Sequence, residues 1–235
     1  VVYDSHPEIA VKNAWSPGKL RSELKKIRAL GLEPIPKLNF ATTHDAWMGE
    51  YSRMVSSQKY YDVCRDLIKE VIELFDHPRL FHLGMDEETA AHQVNMQMMM
   101  VRQKDLWWHD FYFFVDEVEK GGARPWVWSD YAWEHPDLFF QKMPKSVLQS
   151  NWYYGEEFNE RNLQVKAYID LEKECYDQIP TGSYHPRPNS DFRATNEKSI
   201  GNTVSFCSEH IADPRLLGFL QTFWIIRWKC IRFFR

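Results

Sequence analysis

Leu80-Phe81-His82-Leu83-Gly84-Met85-Asp86-Glu87-Glu88 is a short apolar run that passes into three consecutive carboxylates. A buried parallel strand gives this pattern where its C-terminal end opens into a functional loop. Three adjacent acids repel one another, so in a partly desolvated site we expect at least one to keep its proton to a higher pH than a free carboxyl. A neutral acid beside an ionised one is the pair that cleavage of a glycosidic bond requires. The alternative is that residues 86–88 cap and charge the first turn of the following helix.

The composition is that of an ordinary globular protein. The chain has 235 residues and a net charge of -4, which predict one large domain over residues 1–235 and give no electrostatic footprint for nucleic acid. Aromatic residues make up 15% of the chain, and a cleft with many flat rings suits the stacking of sugars, although most of these rings must fill the core. We find no apolar run of the roughly 18 residues that a membrane span needs, and no basic-then-apolar signal pattern at the start.

The cysteines lie far apart and show neither CxxC nor Cys/His metal spacing. We therefore expect core thiols and no metal or other cofactor, with disulfide formation left open. The four residues are Cys64, Cys175, Cys207 and Cys230.

Strand-like runs alternate with helical periodicity about six times along the chain. Helices are predicted over residues 17–30, 60–75, 104–120, 160–176 and 197–210, and strands over residues 33–40, 80–84, 125–128, 146–152, 178–183 and 217–224. The alternation favours a parallel α/β fold, and we expect a (β/α)8 TIM-type barrel whose first one or two strands lie upstream of Val1. An open doubly wound sheet is the competing fold, but neither GxGxxG nor GxxxxGK[ST] occurs to support its nucleotide-binding form.

Several segments, in their order, resemble the catalytic barrel of glycoside hydrolase family 20, the β-N-acetylhexosaminidases. Residues 81–87 resemble that family's His-x-Gly-Gly-Asp-Glu motif on strand four, with Met85 in place of the second glycine. Residues 31–39, followed by His44, are similar to the third strand and its histidine-bearing loop. Three later segments are similar to strands five, six and eight, each of which contributes a tryptophan to the sugar pocket: residues 126–128, 148–152 and 218–224.

The resemblance implies retaining hydrolysis of N-acetylated amino sugars, in which the substrate's own 2-acetamido group is the nucleophile. It implies that Glu87 is the general acid and then the general base, and that Asp86 orients the acetamide. It implies a carbohydrate partner, an oligosaccharide or glycoconjugate, no cofactor, and a secreted or periplasmic setting. The substrate-binding residues that it implies are His44, Trp128, Trp152, Tyr184 and Trp224.

Departures from the family pattern leave two other functions open. The family's strand-one arginine is expected upstream of Val1, and Ile226 stands where the family has an acid after strand eight. For the Tyr and Asp pair of strand seven, the nearest residues are Tyr184 and Asp191. The first alternative is therefore a catalytically weakened barrel that binds carbohydrate. The second is a glycosidase of another family that uses two separated carboxylates, such as Glu87 with Asp130.

Overall fold

A computed structural model of the chain describes residues 1–183 and 197–222. The helices are α1 Pro17–Ala29, α2 Gln58–Leu74, α3 Asp105–Lys120, α4 Asp130–Glu134, α5 Pro136–Lys142, α6 Leu163–Lys173 and α7 Glu197–His210. The strands are β1 Leu80–Gly84, β2 Arg124–Trp128, β3 Leu148–Ser150, β4 Thr181–Ser183 and β5 Leu220–Thr222. Three 3-10 helices lie at Pro7–Ile9, Asp45–Arg53 and Ala91–Gln93. Contacts group the chain into two compact units, one of residues 1–149 and one that begins at Ser150.

The first unit is built on a sheet of three strands in the order β1-β2-β3. β1 and β2 are parallel, and Leu80 pairs with Arg124 at one end of their register. Residues 36–40 run along the free edge of β1, because the His82 N–H donates to the Pro36 carbonyl at 2.9 Å and the Phe40 N–H donates to the Leu83 carbonyl at 3.0 Å. The predicted strand at residues 33–40 is thus present as an extended segment beside β1. It makes few backbone hydrogen bonds to β1, because its prolines have no N–H to donate.

Two amphipathic helices cover this sheet. Ser57 caps α2 by accepting a hydrogen bond from the Tyr60 N–H, and one face of the helix is buried along its whole length. α3 packs against α2 and β2, and its Phe114 ring stacks on Phe40 with ring centroids 4.5 Å apart. Complete burial of each such large side chain stabilises the fold by about 1.5–3 kcal/mol. The carboxyl ends of residues 36–40, β1 and β2 are thereby fixed side by side.

The second unit has a smaller sheet in which β4 pairs with β5 in parallel, and Thr181 lies opposite Leu220. Trp152 forms an isolated parallel bridge to Thr181 and so places the residues after β3 next to β4. Helices α6 and α7 contact each other, and α7 contacts β4. One buried hydrophobic cluster of this unit contains Tyr168, Cys207 and Ile211.

The predicted alternation of helices with parallel strands is confirmed, and α7 has the bounds that the periodicity indicates. The described ranges contain five short strands, so closure into an eight-stranded barrel stays a prediction, as does the single domain over residues 1–235. The short helices α4 and α5 were not predicted; they lie in a polar segment too short to show a helical period. None of the helices that the structure describes is long and apolar enough to cross a membrane.

The cysteine prediction is confirmed in part. Cys64 and Cys207 are buried free thiols, as expected for core residues. Cys175 is a free thiol at the surface, so the prediction of a core position was wrong there, because the residue follows the end of α6 in a left-handed turn with a φ of 59°. Cys230 lies outside the described residues.

Candidate active site

The site begins where β1 ends in an unusual backbone. Gly84, Met85 and Glu87 all have positive φ angles, of 74°, 72° and 56°. For a residue with a side chain this left-handed conformation costs about 1–3 kcal/mol and persists only where the surroundings hold it in place. The chain therefore leaves the sheet abruptly and presents its first two carboxylates beside the ends of neighbouring strands.

Asn39, at the end of the segment beside β1, fixes the position of Asp86. Its side-chain Nδ2 donates to Asp86 Oδ1 at 2.6 Å. Its Oδ1 accepts the N–H groups of Ala41 and Met85, each at 3.1 Å, which settles the orientation of the amide. Because the Asn39 amide is fixed in this way, its donated hydrogen bond orients the Asp86 carboxylate.

His44 joins the two acids. Its Nε2 lies 3.2 Å from Glu87 Oε2 and 3.4 Å from Asp86 Oδ2. The hydrogen bond to Glu87 raises the pKa of the His44 imidazole, and partial burial opposes the shift. The same hydrogen bond lowers the pKa of the Glu87 carboxyl, and a second histidine, His92, lies 3.6 Å from its Oε1. The expectation that crowding raises a carboxyl pKa in this run is thus wrong for Glu87, because a histidine that acts against the repulsion lies 43 positions away in sequence.

The backbone of Glu87 is held from two directions. Its N–H donates to Asp130 Oδ2 at 3.0 Å, and its carbonyl accepts a hydrogen bond from the Thr43 hydroxyl at 2.7 Å. Asp130 is the first residue of α4, directly beyond β2, and is nearly fully buried. The geometry therefore gives Asp130 a positioning role on the Glu87 backbone.

Glu88 points away from the other two acids into a buried ion pair with Arg102. Arg102 donates to Glu88 Oε1 through both its backbone N–H and its side-chain Nε, each at 2.9 Å. The guanidinium also donates to Asp110 Oδ2 at 3.2 Å and to the Phe40 carbonyl at 2.5 Å. This pair ties the loop after β1 to α3 and to the end of the segment beside β1.

The capping alternative for residues 86–88 is wrong. The next helical turn, Ala91–Gln93, has Ala90 at its N-cap and no side-chain cap, and the next α-helix, α3, starts only at Asp105. The hydrogen bonds of Asp86 and Glu88 go to Asn39 and Arg102, which capping would not require.

Aromatic rings surround the inner end of the site. Trp128, at the end of β2, is buried, and the Lys37 ammonium lies 4.7 Å from its ring centroid. The His82 ring lies between Trp126 and Trp128, with centroid distances of 4.8 and 4.6 Å. Burial holds the pKa of His82 well below its ordinary value, and its Nδ1 accepts the Gly84 N–H at 3.0 Å, so the imidazole is neutral with its proton on Nε2.

The structure brings together some of the residues predicted from the sequence. His44, Asp86 and Glu87 form one cluster, and Trp128 ends the neighbouring strand. Trp152 belongs to the second unit, where its ring centroid lies 5.1 Å from that of Tyr154. The remaining predicted residues, Tyr184, Asp191, Trp224 and Ile226, lie outside the described residues.

Three residues of the site were missed by sequence reasoning. Asn39 had a local signal, because it is a polar residue at the end of an apolar strand. Thr43 and Arg102 had none, since their hydrogen bonds to residues 87 and 88 depend on the folded chain.

The cluster also has the composition of a cation site. One ligand atom each from His44, Asp86 and Glu87 lie within 4.8 Å of one another, and imidazole with two carboxylates suits a divalent metal ion. No metal-ligand spacing is visible in the sequence, because the histidine and the carboxylates come from different strand ends.

Gly84→Ala tests the left-handed turn at the end of β1. An added Cβ would meet Asn39 Oδ1 at 2.0 Å and its Cα at 2.8 Å, and φ is 74°. We expect the free energy of unfolding to fall by about 1–3 kcal/mol, since the strain cannot relax without moving Asn39. Urea denaturation measures it. The matched control is Gly18→Ala in α1, where nothing lies within 4 Å of the new atom and stability should rise slightly. Equal stability of both variants would contradict the prediction.

Comparison with solved structures finds the crystal structure of a GH20 exo-β-N-acetylglucosaminidase from Vibrio harveyi in complex with N-acetylglucosamine, with a TM-score of 0.60 and 16% sequence identity. The match covers 90% of this chain but 37% of that chain. No family model matches the sequence, and no curated protein matches it either. The described chain therefore has the fold of part of a glycoside hydrolase of the TIM-barrel type, and this likeness concerns the fold alone.

Proposed function

We propose that this protein is a glycoside hydrolase that removes N-acetylated amino sugars from an oligosaccharide or glycoconjugate with retention of configuration. The observation that carries the proposal is the adjacent pair Asp86 and Glu87 at the carboxyl end of a parallel strand, with His44 hydrogen-bonded to Glu87. Catalytic groups of TIM-type barrels lie at this face. The likeness in fold to an exo-β-N-acetylglucosaminidase supports the same function.

In the proposed first step, Glu87 donates a proton to the glycosidic oxygen as the bond from that oxygen to C1 breaks. The carbonyl oxygen of the 2-acetamido group attacks C1 from the other face, and an oxazolinium-like intermediate forms. The Asp86 carboxylate, oriented by Asn39, accepts the acetamide N–H and stabilises the positive charge electrostatically. In the second step the Glu87 carboxylate takes a proton from water, which attacks C1 and restores the acetamide.

The proton on Glu87 has a source in the same cluster. In the free protein, the hydrogen bond between the two side chains raises the pKa of His44 and lowers the pKa of Glu87, which favours a proton on the imidazole over one on the carboxyl. The side chains of His44 and Glu87 are about a third exposed, at 35% and 31%. A sugar bound over the site displaces the water that solvates these two side chains. Desolvation disfavours the charged pair more than the neutral pair, and the proton moves from His44 to Glu87.

Asp86→Asn tests the assisted mechanism. We expect kcat/KM for a chromogenic N-acetylglucosaminide to fall by about 10²-fold, because the charge that stabilises the intermediate is gone. The kcat/KM for the corresponding glucoside, which has no acetamide, should change much less. Initial rates on the two substrates measure this difference, and calorimetry with a thiazoline analogue of the intermediate should show weaker binding to the variant.

The remaining outcomes identify the other functions. Equal losses on both substrates would contradict acetamide assistance and favour a two-carboxylate glycosidase. Binding of N-acetylglucosamine by the native protein without any turnover would favour a carbohydrate-binding barrel.

A further inference from the structure

A second cavity lies in the first unit, apart from the catalytic pair. It has a volume of about 310 Å³, and neither Asp86 nor Glu87 lines it. Three methionines and a buried acid are among the residues that line it: Met96, Met98, Met100 and Asp45. The exposed Arg53 also lines this cavity.

The methionines are not core residues. Four of the chain's eight methionines fall within residues 96–100, and Met96 and Met98 are 42% and 53% exposed. Met99, between Met98 and Met100, is also exposed but does not line the cavity. Gln97 lines the cavity as well, so three of the four residues within 96–100 that line it are methionines, and gap filling in the core does not explain the two exposed ones.

Hydrogen bonds join the two ends of the loop that carries these methionines. The side chain of Gln93 is buried and bonds Met100 twice: its Oε1 accepts the Met100 N–H at 2.8 Å, and its Nε2 donates to the Met100 carbonyl at 2.7 Å. The Thr42 hydroxyl donates to that carbonyl as well, at 2.5 Å. These hydrogen bonds fix both ends of the loop beside the cavity. They therefore reduce the conformational entropy that the loop would lose when a ligand binds.

Asp45 supplies an unsatisfied group on the other wall. It is 4% exposed, and its Oδ2 has no hydrogen-bond partner among the residues that the structure describes. Burial raises the pKa of this carboxyl to about 7. A buried carboxylate oxygen without a hydrogen-bond partner is costly, and a bound cation would offset that cost.

We propose that this cavity binds a soft monovalent cation, Cu(I), through the thioether sulfurs of Met96, Met98 and Met100, with Asp45 balancing its charge. Thioethers select soft ions, whereas Mg²⁺ and Ca²⁺ require a shell of oxygens. The proposal does not depend on the proposed glycosidase function, because none of its residues takes part in that chemistry.

The test uses Ag(I), a redox-inert ion with the charge and softness of Cu(I). The full chain carries Cys175→Ser and Cys230→Ser so that these two thiols do not compete, whereas Cys64 and Cys207 are buried and burial raises the pKa of both. Silver nitrate is titrated in chloride-free buffer into protein labelled with ¹³C at the methionine methyl groups. We expect saturation at one equivalent, with the signals of Met96, Met98 and Met100 shifting together and that of Met99 unchanged. Mg²⁺ and Ca²⁺ should shift none of them.

Variants complete the test with Cu(I) itself, in competition with a chromogenic Cu(I) chelator. The double variant Met96→Leu, Met98→Leu should weaken Cu(I) binding by at least about tenfold. Loss of a residue that only supports a metal ligand already costs about that much, and loss of a ligand itself should cost no less. Asp45→Asn should weaken it about tenfold as well. Met99→Leu, a change of the same size in the same loop, should leave affinity unchanged. Equal effects of Met99→Leu, no loss in Asp45→Asn, or methyl shifts spread over all methionines would each overturn the proposal.

Discussion

Glu87→Gln is expected to lower kcat on an N-acetylglucosaminide by about 10²–10⁴-fold, the usual contribution of general acid–base catalysis. Glutamine keeps the shape of the side chain and can still bond His44, whose Nε2 lies 3.2 Å from the carboxylate. It cannot give a proton to the leaving oxygen or take one from water. The loss should therefore fall on kcat, with KM changed little, and it should be largest for sugars with poor leaving groups.

The control for this prediction is Glu119→Gln, an exposed glutamate near the end of α3. Its rates should equal those of the native protein. Rates are measured across pH, because the native profile should depend on the ionisation of Glu87 and His44, whereas the Glu87→Gln profile should lose the dependence on the carboxyl. A Glu87→Gln variant with more than a tenth of native kcat would remove Glu87 from the acid–base role.

Arg102→Met is expected to lower the free energy of unfolding by about 3–5 kcal/mol, the typical cost of removing one partner from a buried ion pair. The side chains of Arg102 and Glu88 are 2% and 3% exposed, and the guanidinium also contacts Asp110. Methionine fills similar space but leaves two carboxylates without a cation. Urea denaturation at neutral pH measures the loss.

Two variants isolate the charge effect. Glu88→Gln combined with Arg102→Met should recover part of the stability, because the pair is then removed as a whole. Arg79→Met is the matched control: Arg79 bonds Glu33 through Nε at 3.0 Å, but its side chain is 76% exposed. Its loss should cost at most about 1 kcal/mol. If Arg102→Met costs no more than Arg79→Met, the buried pair does not stabilise the loop.

Sequence patterns succeeded where the cause is local. The cap at Ser16 with Pro17 predicts the start of α1, and the apolar period predicts α2, α3 and α7 within a few residues. The apolar run that passes into acids predicts β1 and its end at Gly84. These features depend on neighbours within one or two turns, which the sequence displays directly.

Contacts between distant segments were beyond those patterns. The raised acid pKa was expected within residues 86–88, but His44 lowers the pKa of Glu87, and burial instead raises that of Asp45. The partner of Glu88 is Arg102, 14 positions away, and no spacing rule links them. The pKa shifts of these carboxyl groups depend on which strand ends lie next to each other, and this is set by the folded sheet.

The two hydrogen bonds between the Gln93 side chain and the Met100 backbone have a consequence for sequence variation in this loop. The buried Gln93 amide holds the two ends of the loop together, so residues 94–99 can be replaced as one segment. A different sequence there would not displace the ion pair between Arg102 and Glu88. Natural variation or a combinatorial library can therefore change this part of the surface while Asp86 and Glu87 keep their positions.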